Sequence, residues 1–363
     1  MNDDRNLPSI FAQDSEQLRE IVEQQWNMPK FRSSQLLHWL FQHRNYELDT
    51  LSNLSKDFKD KLKKTFDWSL PEVCNRLDGQ DGASKLLLKG TKGQIFEAVI
   101  LRYAGRTSLC VSSQVGCRLA CNFCQTGKLG FFRNLKAGEI IGQFILANKL
   151  IAKENRKISH IVFMGMGEPL DNFNEVKIAV NLLTKPECFG LSPRRVTVST
   201  SGIAPKIRDF SEHMRASLAL SLHASRDDLR SELMPINKRY SLEELKQALF
   251  HYQNKTQEKI TIEYILIKNK NCGIKEAKEL VRFLHGLKAK INLIPFNSHP
   301  GMEYQRPSEQ EITSFQKYLS QRGYPAPVRY SKGLDVSAAC GQLAAKHETM
   351  LKTPPKRKNV IGG

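Results

Sequence analysis

No apolar run in this 363-residue chain approaches the roughly 18 residues that a membrane-spanning helix needs. The opening residues, Met1 to Arg5, offer neither a basic leader nor an apolar export core. A cytoplasmic protein with no membrane partner is therefore expected. The glycine-rich fingerprints of dinucleotide sites and of P-loops are both missing, which argues against either kind of phosphate site. Gly and Pro are not enriched, so a folded soluble chain is expected rather than a low-complexity one.

Acidic residues are in short supply. Against 55 Lys and Arg stand only 37 Asp and Glu, a formal charge of +18. The natural partner for such a surface is an anion, most commonly a nucleic acid. A membrane-surface protein or a merely basic proteome would give the same number. The eight cysteines follow no regular spacing and do not resemble a secreted disulfide framework. They fit a reducing compartment, where thiols stay available.

What is present centres on Cys110 to Cys124, which holds Cys110, Cys117, Cys121 and Cys124. The last three are spaced C-x3-C-x2-C. Four thiolates close a structural zinc site or a cubane cluster. Three with no local fourth suggest a cluster with one iron left open to a chelating ligand. A zinc knuckle with a remote fourth ligand, or buried inert cysteines, remain as alternatives.

Helical periodicity over Glu16–Trp26, Ser34–Phe41 and Asp49–Phe66 predicts a small N-terminal helical domain over residues 1–71. Its lysines (Lys56, Lys59, Lys61, Lys63, Lys64) suit either phosphates or plain solvent, because Asp57 and Asp60 interrupt them. Residues 72–106 read as a connecting segment with strands at Lys85–Lys89 and Gln94–Leu101.

From 107 to 345 strand and helix alternate. Strands are expected at Ser108–Ser112, His160–Phe163, Arg195–Ser199, Ala216–Leu220, Lys259–Ile267 and Ala289–Ile294. Helices are expected at Glu139–Lys153, Asn174–Leu183, Ala204–Phe210, Leu242–His251, Lys275–His285 and Ser308–Leu319. Six such units imply parallel strands with right-handed crossovers. The expected fold class is α/β, an open partial (β/α)6 barrel, with a doubly wound sheet as runner-up. Residues 346–363 read as a disordered basic tail.

Every candidate chemical residue falls just after a strand. The three cysteines follow the first, Gly165 to Pro169 the second, and Ser199 to Gly202 close the third. Ser221, Leu222 and His223 end the fourth, and Asn297 follows the sixth. In parallel α/β folds ligands sit at the carboxyl ends of strands, so these segments should share one opening. Gly167 permits close backbone approach, and Glu168 is either a ligand acceptor or a helix-capping Glu. Ser199, Ser221 and Asn297 offer neutral hydrogen-bonding groups. His223 has no local Asp to orient it, so a hydrolytic triad is not expected and a satisfied histidine is the main rival reading. Alone, Cys340 reads as a small buried hydrophobe, as do Cys74, Cys188 and Cys272.

The stretches Cys110–Cys124, Met164–Pro169, Ser199–Gly202, Ser221–Ala224, Asn292–Asn297 and Ala338–Leu343 together resemble the dual-specificity radical-SAM (S-adenosylmethionine) adenine-C2 RNA methyltransferase family. The resemblance covers about residues 15–345. It implies methylation of C2 of adenine 2503 in 23S rRNA, before full ribosome assembly, and of adenine 37 in tRNA. It further implies a 4Fe-4S cluster on Cys117, Cys121 and Cys124. The SAM site would be formed by Gly167, Glu168, Ser199, Ser221, Leu222 (by backbone), His223 and Asn297. Cys340 would carry the methyl group, Cys110 would form a transient disulfide with it, and Glu97 would accept the proton. Adenine C2 is electron-poor and a bad nucleophile toward SAM, whereas a thiolate is a good one, which accounts for a methyl-carrying cysteine. An external electron donor and a monomeric state are also expected. The sister adenine-C8 activity shares the same motifs. A glycine-radical activase would have no use for Cys110 and Cys340, and a non-catalytic iron-sulfur RNA-binding protein would not consume SAM.

Overall fold

The computed structural model describes residues 7–298 and 302–343; the expected basic tail lies outside the described residues. The N-terminal part contains α1 (Ser15–Arg19), α2 (Lys30–Leu37) and α3 (Lys56–Thr65). The first two run on into wider-wound turns at Glu20–Gln25 and His38–His43. Asp14 and Gln17 form a capping box that starts α1. The third helix begins at Lys56 rather than Asp49, because Leu48–Thr50 forms a separate 3-10 turn ahead of the Ser55 N-cap. Leu18, Val22, Leu36, Phe58 and Leu62 bury the inner faces, continuous with the core of the rest of the molecule. Phe41 and Phe144 both pack edge-on against Phe189, and Lys185 bonds Asp14 and Glu16, so the helical part is seated directly on the sheet's helices.

A nine-stranded sheet follows. Its first three strands, β1 (Glu72–Asp78), β2 (Ala83–Lys89) and β3 (Ile95–Tyr103), are antiparallel. The next is β4 (Arg106–Cys110), antiparallel to β3. A separate two-stranded ribbon of β5 (Gln114–Gly116) and β6 (Phe131–Asn134) brackets the short α4 (Gln125–Leu129). After α5 (Ala137–Ile151) come β7 (His160–Phe163), α6 (Phe173–Thr184), β8 (Val196–Thr200), α7 (Ala204–His213) and β9 (Ser217–Ser221). Then follow α8 (Asp227–Leu233), α9 (Leu242–Thr256), β10 (Ile260–Leu266), α10 (Ile274–Leu284), β11 (Ala289–Pro295) and α11 (Glu309–Ser320).

The order β4-β7-β8-β9-β10-β11 is parallel throughout. This is the open partial (β/α)6 barrel expected from the alternation, with the helical part ahead of it. Every residue of β10 is buried, as a strand covered on both faces by helices and the barrel interior should be. Capping boxes at Ser241/Glu244 and Ser308/Glu311 set the starts of α9 and α11. The 72–106 segment is more than a connector: its strands extend the parallel sheet on the β4 side. The chain after α11 runs beside β11, where Arg329 N donates to Leu293 O at 2.7 Å. It then reaches back to the β1–β2 turn, where Gly333 N donates to Asp81 Oδ2 at 2.7 Å, and to β3, where Lys332 Nζ donates to Arg102 O at 2.9 Å. The segment carrying Cys340 thus spans the open side of the barrel.

Candidate active site

At the carboxyl ends of the strands one cavity is lined by Cys117, Cys121, Cys124, Gly167, Glu168, Ser199, Ser201, Ser221, His223, Glu263 and Cys340, among others. Five strand ends and the C-terminal segment therefore meet at one opening, the side where parallel α/β proteins place their ligands.

The cysteine loop is shaped before anything binds. Gly116 has φ +75°, and a Cβ there would overlap the Gly130 carbonyl, the acceptor of the Cys117 N–H at 2.8 Å. Asn122 N bonds Leu233 O at 3.0 Å, tying the loop to α8. Burial, then the charge of Cys121, pushes the Cys117 thiol well up, and burial, then the charge of Cys124, does the same to Cys121. Burial also raises Cys124. Thiols so placed ionise only when a strong cation compensates them, as a metal centre does. Among the described residues no three His, Cys, Asp or Glu side chains converge on one point that could hold a single ion. Three thiols spaced C-x3-C-x2-C on one loop are a donor set in which each thiolate can bind a different iron of a cluster. The donor set fits such a cluster.

Glu168 serves both readings of the sequence. Its Oε1 caps the turn after β7 through Leu170 N at 3.1 Å, and its Oε2 accepts from Ser201 N at 2.8 Å and Ser201 Oγ at 2.5 Å. Burial raises its pKa, and the Ser201 bonds oppose the rise. Gly167 stands at φ +100°, with Gln114 so close that a Cβ would lie 2.5 Å from Gln114 Cβ. Only glycine fits both the backbone angle and the contact. Ser199 and Ser221 face each other at 3.5 Å between hydroxyl oxygens.

His223 is neutral at ordinary pH: burial, then the charge of Arg230, pulls its pKa down to about 3. Its Nδ1 accepts the Ile265 N–H at 3.1 Å, so the proton of the neutral ring sits on Nε2. The ring packs edge-on against Phe123 at 4.9 Å between centroids, and Asn271 Nδ2 holds the His223 carbonyl at 2.7 Å. A hydrogen-bond donor in this place is what the structure supplies, not a general base.

Cys340 is exposed through the mouth of the cavity, while the protein mass behind it, Glu263 and Cys124 push its thiol up to about 11. Its segment is fastened to the cysteine loop: Gln125 N bonds Gly341 O at 2.8 Å and Thr126 Oγ1 bonds Leu343 O at 3.2 Å. Asn297 Nδ2 donates to Ser331 Oγ at 2.8 Å and to Cys340 O at 3.4 Å. Cys110 ends β4, buried and free, and burial and then the nearby Cys340 push its thiol up.

Four expected site residues lie outside the cavity lining. Leu222 has its backbone engaged, N–H to Glu263 O and carbonyl to Arg230 Nε. Asn297 holds the Cys340 segment. Cys110 lies behind Cys340. Glu97, on β3, is fully buried against Lys85. Sequence reasoning missed Ser201, Gln114, Glu263, Asn271 and Arg230. The Ser199–Gly202 stretch already contained Ser201. Glu263 pairs in register with both Ser221 and Asn292, a signal that alternation along β10 could have offered.

A family model described as the radical SAM superfamily matches residues 111–284, and one described as the ribosomal RNA large subunit methyltransferase N-terminal domain matches residues 9–67. The dual-specificity RNA methyltransferase RlmN of a Nitratiruptor species is 44% identical over 340 residues, 89% of this chain and 95% of that protein. The protein of the same name from Rhizobium meliloti (strain 1021) is 43% identical over 344 residues, covering 89% and 84%. Among solved structures, a radical SAM methyltransferase from Sphaerobacter thermophilus superposes with a TM-score of 0.89 at 38% identity, covering 93% of this chain and all of that one.

Proposed function

The chain belongs to the family of dual-specificity RNA methyltransferases RlmN, and on that premise we propose that it methylates C2 of adenine 2503 in 23S rRNA and of adenine 37 in tRNA. The observation that supports this most is the meeting, at one cavity, of Cys340 with the three cysteines of the C-x3-C-x2-C loop.

Cys117, Cys121 and Cys124 would hold a 4Fe-4S cluster, and Gly167, Glu168, Ser199, Ser221 and His223 would line the SAM site. When bound, cluster and SAM supply an electron, the methyl group and a hydrogen-abstracting carbon radical. The protein's own part is positioning and proton handling. Glu168 carries a carboxylate whose outer lone pairs suit an ammonium or ribose hydroxyl. His223 offers an Nε2–H donor that does not titrate in the working range. Leu222, whose carbonyl accepts from Arg230 Nε at 3.1 Å and from Ala224 N at 2.8 Å, would border the SAM site through its backbone. Cys340 is the methyl carrier, held at the cavity mouth by Asn297, Gln125 and Thr126. Cys110, behind it, is the thiol that attacks the Cys340 sulfur: the S–S bond forms as the bond from that sulfur to the RNA-linked carbon breaks. Glu97 would be the proton acceptor; what supports it is that it shares Lys85 with the carbonyl of Ser337, three residues before Cys340. An external electron donor, cytoplasmic location and monomeric state belong to the same proposal.

The test is anaerobic incubation of the iron-reconstituted protein with SAM, a reductant and 23S rRNA fragments or tRNA, followed by nucleoside analysis. The expected product is 2-methyladenosine. 8-Methyladenosine would reassign the target carbon, and unconsumed SAM with bound RNA would leave a binding protein.

A further inference from the structure

Arg230, on α8, is fully buried. Its guanidinium makes four hydrogen bonds, and every acceptor is neutral: Leu222 O at 3.1 Å from Nε, Asn237 Oδ1 at 2.9 Å from Nη1, and Ser201 O at 2.6 Å and Ser221 O at 3.2 Å from Nη2. The acid of its own helix, Asp227, is taken up by Asn237 Nδ2 at 2.7 Å and Leu242 N at 2.9 Å. Among the described residues Arg230 forms no ion pair. Asp227 still acts on Arg230 through its charge but does not bond it, and a buried cation with no paired acid is unfavourable, so its place needs a reason.

Two observations give one. The three carbonyls it gathers come from the ends of β8 and β9, and Ser201 is also the residue that holds Glu168. One planar fork therefore ties together the segments that would cradle SAM, a geometry that lysine cannot reproduce. Secondly, Ser201 and Ser221, whose carbonyls Arg230 holds, line the same cavity as Cys117, Cys121 and Cys124, and Cys121 lies within electrostatic reach of Arg230. With three thiolates attached, a cluster at these cysteines is net negative, and becomes more so on taking up an electron.

We propose that Arg230 is a positioning residue for the SAM site and the internal counter-ion of the cluster. This rests on the reading that Cys117, Cys121 and Cys124 hold that cluster. Removing the charge makes the reduced cluster less favourable. Removing the fork while keeping the charge loosens the SAM site instead.

The experiment compares reconstituted wild type, Arg230→Met and Arg230→Lys by iron and sulfide analysis, potentiometric titration followed by electron paramagnetic resonance, and equilibrium binding of SAM. At the wild-type midpoint potential, the reduced-to-oxidised ratio of Arg230→Met should fall about tenfold, a shift of about 59 mV for one electron. Arg230→Lys should reduce like wild type and bind SAM about tenfold more weakly. An unchanged or more positive midpoint in Arg230→Met overturns the proposal. Should that variant fail to load iron, Arg230→Lys decides: a shifted potential or unchanged SAM affinity overturns it. Wild type without iron and sulfide defeats the cluster reading itself, and the role of Arg230 with it.

Discussion

Lys85 Nζ lies 3.4 Å from Glu97 Oε1, with both side chains 1% exposed, and the same ammonium donates to Ser337 O at 3.1 Å. One buried ion pair thus links the antiparallel extension to the segment bearing Cys340. Breaking such a pair from one side strands a charge and costs ~3–5 kcal/mol. Lys85→Met should lose about that in chemical denaturation, while Lys85→Met/Glu97→Gln should recover more than half of it. A single variant within ~1 kcal/mol of wild type would sink the idea that the pair matters to the fold.

His223 sets a pH dependence. Its folded pKa of about 3 lies below the ordinary histidine value of 6.5. Between those two values the unfolded chain binds the proton and the folded chain does not, so stability falls as pH drops from 6.5 toward 3. From pH 6.5 to pH 4.5 this one group removes about 2 kcal/mol. The residue stands at φ +60°, a conformation that asparagine tolerates. His223→Asn should therefore flatten that part of the acid limb, measured by urea denaturation at the two pH values against wild type. Equal slopes in the two proteins would be the contrary result.

How much of this was legible follows from which residues carry the pattern. The six parallel strands were, because runs such as Ile260–Leu266 are almost wholly apolar and the helices between them keep a 3.6 period. Strand β1 was not: it forms the edge of the sheet, mostly exposed, and its Glu72, Asn75, Arg76 and Asp78 read as a loop. The ribbon of β5 and β6 was missed because each strand is only three or four residues long. The Ser199, Ser221 and His223 positions could be placed from strand ends alone. Arg230 could not, since a charged residue in Asp227–Leu233 reads as solvated; it is the packing of α8 on the strand ends that turns the arginine inward. Asn271 is alike, its polar side chain bonded to Ile265 O at 2.6 Å and Ile267 N at 2.7 Å inside the core.

The charge of +18 makes a prediction about binding rather than catalysis. Some lysines are already occupied: Lys63 bonds Asp49 at 2.6 Å, and Lys59 bonds the Asp49 carbonyl at 3.0 Å. The unoccupied remainder should neutralise RNA phosphates and release counterions, so log affinity should fall linearly with log salt, with a slope of ~0.7–0.9 per phosphate contacted. Filter binding of tRNA across a salt series reads this directly. Affinity indifferent to salt would mean that the partner is not held by its phosphates.

Cys110 and Cys340 lie far apart in sequence, yet Cys340 is close enough to add to the burial that pushes the Cys110 thiol up, and both are free. If Cys340 carries the methyl group, Cys340→Ala should keep its iron and never take up protein-bound methyl from labelled SAM. Cys110→Ala should load the methyl normally, since that step does not use its thiol. It should then stall with the RNA still joined to the Cys340 sulfur, because nothing can attack that sulfur to break the bond. Denaturing gels with labelled RNA would show a protein–RNA band in Cys110→Ala, absent from wild type and from the double variant. Two cysteines that merely filled space would behave otherwise: each alanine would cost ~0.5–3 kcal/mol of stability, turnover would persist in both, and no band would form. Normal release of methylated RNA by Cys110→Ala would end the assignment of its thiol to the release step, even with Cys340 confirmed as the carrier.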